Sequence, residues 1–205
     1  MAVYKMTPTK ANLIKAKNSL QFSKKGFELL DRKRTVLIRE MMSLIDEAEK
    51  VQEEIASNFE EAYKALQLAN MTMGQNSVEE IAMSLEKEEG FEILPKSVMG
   101  TEIPYIKYEE RPFSTEYGFF RTNPTFDKAV LKFINIRYLI YNLAQIENSV
   151  FKLAVEIKKT QKRANALEKI QIPRYTREIK FIQEVLEEKE REDFFRLKKV
   201  KAKKK

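Results

Sequence analysis

Between Ile136 and Leu167 the apolar or small residues fall at Ile136, Leu139, Leu143, Ile146, Val150, Leu153, Ile157, Thr160, Ala164 and Leu167. The steps alternate between three and four without a miss. That is the a/d seam of a heptad repeat, and it outlasts the three to four heptads that mark a coiled coil. Lys, Glu, Gln and Asn fill the positions between. One such helix cannot bury its own seam, so the chain needs a second helix to lie against it.

The N-terminal third supplies one. Thr7-Pro8 reads as an N-cap followed by proline in the first helical position, where its missing N–H costs nothing. The seam that follows is Leu13, Leu20, Phe27, Leu30, Leu37, Met41, Leu44, Ala48, Val51, Ile55, Phe59, Ala62, Leu66 and Ala69, with Arg34 interrupting it. The pattern holds to Met73, which predicts a helix of roughly 60 residues, about 90 Å long at 1.5 Å per residue. Gly26 inside it costs about 1 kcal/mol relative to Ala; it either serves a close approach or is simply tolerated.

From Met73 to Asn123 the character changes. Four of the five glycines and Pro95, Pro104 and Pro112 fall here. Ser77, with Glu80 three residues on, predicts a capped short helix over Val78–Glu88 that Gly90 ends. Phe91–Met99 and Ile103–Tyr108 are β-like runs, and Gly100-Thr101-Glu102 between them is hairpin chemistry. The two prolines restrict both to edge strands. Phe113, Tyr117, Phe119 and Phe120 form an aromatic group that either packs locally or faces a partner.

Asn123-Pro124-Thr125 opens the second long helix, with Thr125 as a candidate N-cap. Pro173 is expected to kink or break it. The seam is expected to resume at Tyr175, Ile179, Ile182 and Leu186 and to close near Phe194-Phe195-Leu197. The expected divisions are a helix over 1–73, a connection over 74–124, a helix over 125–200 and a basic tail over 201–205. The fold class is all-α: a long intramolecular antiparallel two-helix coiled coil with a short helix and a small β-hairpin in the connection. A parallel homodimer would leave the two seams of one chain apart.

Composition narrows the function. Charged residues make up 34% of the chain, and there is no His and no Cys. That removes the usual acid–base catalyst near pH 7, thiolate metal sites and disulfides. No phosphate-binding glycine loop occurs, so we expect no cofactor, no metal site, no bound nucleotide and no catalytic residue. There is no apolar run of membrane-spanning length and no secretory leader, which together predict a soluble, cytoplasmic chain. The net charge of +7 equals the seven cations of Arg196–Lys205, a stretch without acids. Such a tail is a solvated end or a site for nucleic acid or anionic lipid.

Three stretches carry a resemblance to a known family: Thr7-Pro8-Thr9-Lys10; Lys25-Gly26-Phe27-Glu28-Leu29-Leu30-Asp31-Arg32-Lys33-Arg34 with Leu37-Ile38-Arg39; and Thr160-Gln161-Lys162-Arg163-Ala164-Asn165-Ala166-Leu167-Glu168 with Ile172-Pro173. With Glu116-Tyr117-Gly118 between them, they resemble the D subunit of the V-type and A-type rotary ATPases. The family often carries Arg at the position of Lys10, His at Phe27 and Arg at Gln161 and Lys162.

The resemblance implies a non-catalytic central rotor shaft. The paired termini enter the hexamer of catalytic A and B subunits. The other end carries the small F subunit of the stalk and docks, through a funnel-like subunit, on the ion-translocating membrane ring, coupling ATP hydrolysis or synthesis to H⁺ or Na⁺ transport. The complex is peripheral to the membrane on its cytoplasmic side. Candidate hexamer contacts are Arg32, Lys33, Arg34, Lys158, Lys159, Lys162 and Arg163. The hairpin residues Phe91, Ile93, Val98, Ile103, Tyr105 and Tyr108 are the candidate surface for the small F subunit. The competing reading is a stand-alone coiled-coil adaptor with a basic tail for nucleic acid or lipid. A nucleic-acid protein, however, carries its basic charge along a face with interleaved aromatics, and here the excess sits in the tail.

Overall fold

The computed structural model describes residues 7–84, 90–109, 117–118, 120 and 122–203. Its elements are α1 (Lys10–Met73), α2 (Gln75–Ser84), β1 (Phe91–Val98), β2 (Thr101–Tyr108), α3 (Pro124–Ala166), a π-helical turn (Leu167–Gln171) and α4 (Ile172–Lys203). The expected all-α architecture with one small hairpin is what the chain adopts. The chain divides into a unit of its two terminal segments, up to Val36 and from Ile157, and a unit formed by Leu37–Glu156.

In the terminal unit the helices run antiparallel. Lys10 pairs with Glu190 at 3.0 Å, and further along α1 a β-carbon placed on Gly26 would meet the Leu167 side chain at 3.5 Å. That is ordinary van der Waals spacing, so an alanine fits and no close approach requires the glycine. Ala16, Ser23, Thr160 and Ala164 are buried, flanked by half-buried Leu13, Leu20, Phe27 and Leu30. Ala16 and Ser23 complete a three–four alternation that the larger residues alone mark only every seven. The buried Ser23 hydroxyl donates to the Ser19 carbonyl at 2.8 Å, so its burial leaves no orphaned donor. The N-cap is Thr9, not Thr7: its Oγ1 accepts the Asn12 N–H at 3.2 Å. Thr7 instead receives the Asn12 side-chain amide at its Oγ1 and carbonyl.

Pro173 does not break the helix. The turn before it widens to π geometry, with the Ile172 N–H bonded to the Leu167 carbonyl. Tyr175, Ile179, Ile182 and Leu186 then lie buried or half-buried as expected. Phe194, Phe195 and Leu197 do not close the seam; each is more than 60% exposed. The helix itself continues to Lys203, into the stretch expected as a basic tail.

The other unit is also antiparallel: Gln52 bonds Glu147, Glu61 pairs with Lys132, and Thr72 meets Thr125. The Lys132 hydrogen bond and charge hold the Glu61 carboxyl below its usual range. Val51, Ile55 and Ile146 form one buried cluster, with Leu44, Phe59, Leu139 and Leu143 against it. A second cluster joins Ala69, Val78, Tyr117 and Phe126. Tyr117 stacks edge-on against Phe126 with ring centroids 5.1 Å apart and donates its hydroxyl to Asp127 at 2.6 Å. Burial first, and the Asp127 bond second, push its phenol well above the ordinary range. Tyr117 therefore packs locally, whereas Phe120 is fully exposed; Phe113 and Phe119 lie outside the described residues.

Gly74 ends α1 with φ +81, a left-handed conformation that costs glycine nothing. Its carbonyl accepts the Val78 N–H, so α2 starts at once and Ser77 sits inside it rather than capping it. The C-terminal part of the expected helix, 85–88, and its stop before Gly90 lie outside the described residues. α3 likewise opens two residues earlier than a Thr125 cap allows. Pro124 takes the first position, and the Asn123 carbonyl accepts the Phe126 N–H at 2.8 Å.

Candidate interaction surfaces

The hairpin turn has two residues, Met99-Gly100, rather than the expected Gly100-Thr101-Glu102, and β2 starts at Thr101. Both turn residues have positive φ, +50 and +77, as a type I′ turn demands. Met99 is an unusual occupant, since a β-carbon in that region costs about 1–2 kcal/mol. Eight facing pairs outweigh that local preference.

The register explains the prolines. Val98 and Thr101 flank the tight turn as a hydrogen-bonded pair, and hydrogen-bonded and non-bonded pairs alternate from there. Pro95 faces Pro104 in a non-bonded pair, where neither residue owes the ladder an N–H. Ile93 and Ile106 form the next non-bonded pair. The outward N–H of Ile106 donates to Gln145 Oε1 of α3 at 2.7 Å.

Aromatic rings add to that bond. Tyr108 stacks on Tyr138 at 5.1 Å and meets Tyr141 at 5.7 Å, and Phe91 meets Tyr141 at 5.4 Å. The Arg137 guanidinium lies 5.2 Å from the Tyr138 ring centre. The base of the hairpin is thus fastened to α3. Tyr138, Tyr141 and Gln145 fall at i, i+3 and i+7, a second stripe beside the seam. That spacing is a signal in the sequence, though a heptad count along the seam passes over it.

The six candidate hairpin residues divide between two faces. Strand alternation puts Phe91, Ile93 and Tyr108 on one and Val98, Ile103 and Tyr105 on the other. Phe91 and Tyr108 are engaged by α3. On the opposite face Leu94, not among the six, pairs with Tyr105, and the two are 40% and 44% exposed. In the same unit Leu66, Val78, Phe126, Phe133 and Ile134 line an apolar cavity of about 420 Å³.

The seven candidate cations all fall in the terminal unit. Two turns on from Gly26 along α1, and two turns back from Leu167 along α3, Lys33 comes level with Thr160. Arg32–Arg34 and Lys158–Arg163 therefore form one basic band. Its members differ. Arg32 pairs with Glu28 and Arg34 with Asp31; Arg34 is half-buried and its Nε has no hydrogen-bond partner. Lys158, Lys162 and Arg163 are exposed and make no ion pair among the described residues. Lys159 is exposed and Lys33 half-buried.

No helix among the described residues is long and apolar enough to cross a membrane. The family model for the D subunit of ATP synthase matches residues 12–202. The V-type ATP synthase D subunit of Thermotoga neapolitana is 47% identical over 198 residues, covering 97% of this chain and 98% of its own length. The A-type ATP synthase D subunit of Pyrococcus abyssi is 38% identical over 203 residues, covering 98% of this chain and 95% of its own. An antiparallel pair of long helices with one hairpin, matched end to end by such relatives, belongs to the ATP synthase D-subunit family.

Proposed function

We propose that the chain is the central-stalk rotor of a V/A-type ATPase. As a D subunit it is a structural, non-catalytic component of an ATP synthase. The observation that carries the rotor reading is the antiparallel helix pair with a basic band around one level of it. A two-helix shaft has no threefold symmetry, so each of three surrounding catalytic sites meets a different face. Only such differential contact shifts populations between states.

In this reading the terminal unit sits within the hexamer of A and B subunits, on the cytoplasmic side of the membrane. Lys158, Lys159, Lys162 and Arg163 meet acidic loops there, with Arg32, Lys33 and Arg34 at the same level. The free face of the hairpin, Leu94, Val98, Ile103 and Tyr105, receives the small F subunit of the stalk, and a funnel-like subunit links the shaft to the ring that carries H⁺ or Na⁺.

The test is rotation. A bead attached through a cysteine introduced at Glu102, exposed and on the other face of the hairpin, on a reconstituted complex fixed to a surface through its hexamer, should turn in one direction when ATP is added. Changing Lys158, Lys159, Lys162 and Arg163 to Gln should slow it most at low salt, where screening is weakest. A bead that stays still while the complex hydrolyses ATP would refute the rotor reading. Unaltered speed in the four-site variant would remove those cations from it.

A further inference from the structure

The seam keeps its three–four alternation to Leu167 and resumes it as Ile172, Tyr175, Ile179, Ile182 and Leu186, all buried or half-buried. Between Leu167 and Ile172 the step is five. In an α-helix of 3.6 residues per turn, a step of five overshoots a full turn by about 140° and turns Ile172 off the seam. The structure absorbs the extra residue where the helix widens: the Ile172 N–H reaches back five residues to the Leu167 carbonyl. Glu168, Lys169, Ile170 and Gln171 face outward, all exposed.

The same level is weak for two further reasons. Pro173 brings no N–H, so a carbonyl of the turn before it lacks a backbone donor. The residue of α1 opposite Leu167 is Gly26, the poorest helix former after proline, and even a β-carbon placed there would meet only one Leu167 methyl across the pair, at 3.5 Å. Both helices of the terminal unit are therefore weakly braced at the same height.

We propose that the π turn at Leu167–Gln171, with Gly26 facing it, is a hinge at which the terminal helix pair bends and twists while its seam stays packed on either side. The one-residue phase step maintains the hinge, and Pro173 adds to it. This inference does not rest on the rotor reading, because it concerns the isolated chain. It separates two causes that a static view merges. Removing Pro173 alone leaves the step of five in place. Removing Lys169 as well turns that step into four and permits an unbroken α-helix from Pro124 to Lys203.

Amide hydrogen exchange on the full-length chain tests it. In the unaltered chain the amides of residues 168–172 should exchange about tenfold or more faster than those of 157–164 and 176–186. Pro173→Ala should leave them fast. Pro173→Ala combined with deletion of Lys169 should slow them to the rate of their neighbours. Exchange at 168–172 as slow as at the flanking turns would overturn the hinge. Protection gained with Pro173→Ala alone would overturn the phase argument. The first two chains decide both points even where the deletion chain does not fold.

Discussion

The two units solve the same problem with different materials. The terminal unit closes its seam largely with small residues: Ala16, Ser23, Thr160 and Ala164 are among its most buried positions. The Leu37–Glu156 unit buries small residues as well, Ala62, Ala69, Ala129 and Ser149, but sets more large ones among them, including Leu37, Val51, Ile55, Ile136, Ile146 and Leu153, and adds Tyr117 and Phe126 under a short helix. Small seam residues let two helices run close and slim, with little apolar area gained per turn. Large ones give a thicker pair that gains more. The difference matches the tasks proposed for them: a slim basic section to turn within a ring of subunits, and a broader one carrying the hairpin for a partner.

The sharpest way to break this comparison is a cavity. Ile146 is 2% exposed and joins Val51 and Ile55 in one cluster. Ile146→Ala should cost about 2–5 kcal/mol, the range for large-to-small changes in packed cores, read from urea unfolding of the full chain. A cost below about 1 kcal/mol would mean that the cluster collapses onto the gap. The contrast between a rigid thick unit and a slim one would then fail.

The converse change sharpens it. Ala164 is 2% exposed in the slim seam. Ala164→Leu should destabilise by about 1–3 kcal/mol through overpacking, although leucine is the usual residue at such a position of a coiled coil. Thermal unfolding followed by circular dichroism measures this. A stabilised variant would show that the helices have room there, and that the small residues do not set their spacing.

Much of this is legible from spacing alone. Every one of the ten seam positions from Ile136 to Leu167 is buried or half-buried, because a heptad repeat is a local pattern with one way to be satisfied. Both strands of the hairpin are legible for the same reason. Ala16 and Ser23 escape because a small residue looks alike on a seam and on a surface. The π turn escapes because Pro173 signals a break, and only the step from Leu167 to Ile172, counted against the seam, shows the extra residue. The turn at Met99-Gly100 escapes because methionine carries no turn preference, and only the pairing of the whole ladder places it there. Among the candidate contacts, the pattern marks which residues are charged. It does not mark that Arg32 and Arg34 are paired within the helix while Lys158, Lys162 and Arg163 are not, since that depends on side chains a turn away.

The smallest effect concerns the buried polar groups: each unit has a buried serine that bonds its own helix, Ser23 and Ser149, and among the described residues the Leu37–Glu156 unit adds a buried phenol that bonds across to another segment. Ser23 satisfies its hydroxyl on its own helix, at the Ser19 carbonyl. Tyr117 donates at 2.6 Å to Asp127, at the start of α3, from a segment ten residues earlier in the chain. Ser23→Ala removes donor and need together and should change stability by no more than a few tenths of a kcal/mol. Tyr117→Phe keeps the ring against Phe126 but strips the bond, and should cost about 1 kcal/mol, the net worth of an ordinary hydrogen bond. The pH dependence gives an independent reading. The phenol of Tyr117 is raised in the folded chain, so the neutral form is the one that folding favours. That contribution is fully present below the phenol's unfolded value near 10 and declines as pH rises toward the folded value. Unfolding curves of the two chains should therefore be separated by a constant amount from pH 7 to 9 and converge above pH 10. A gap that stays constant to pH 11 would mean that the hydroxyl contributes nothing through its proton, and would leave Tyr117 as a packing residue like those of the slim unit.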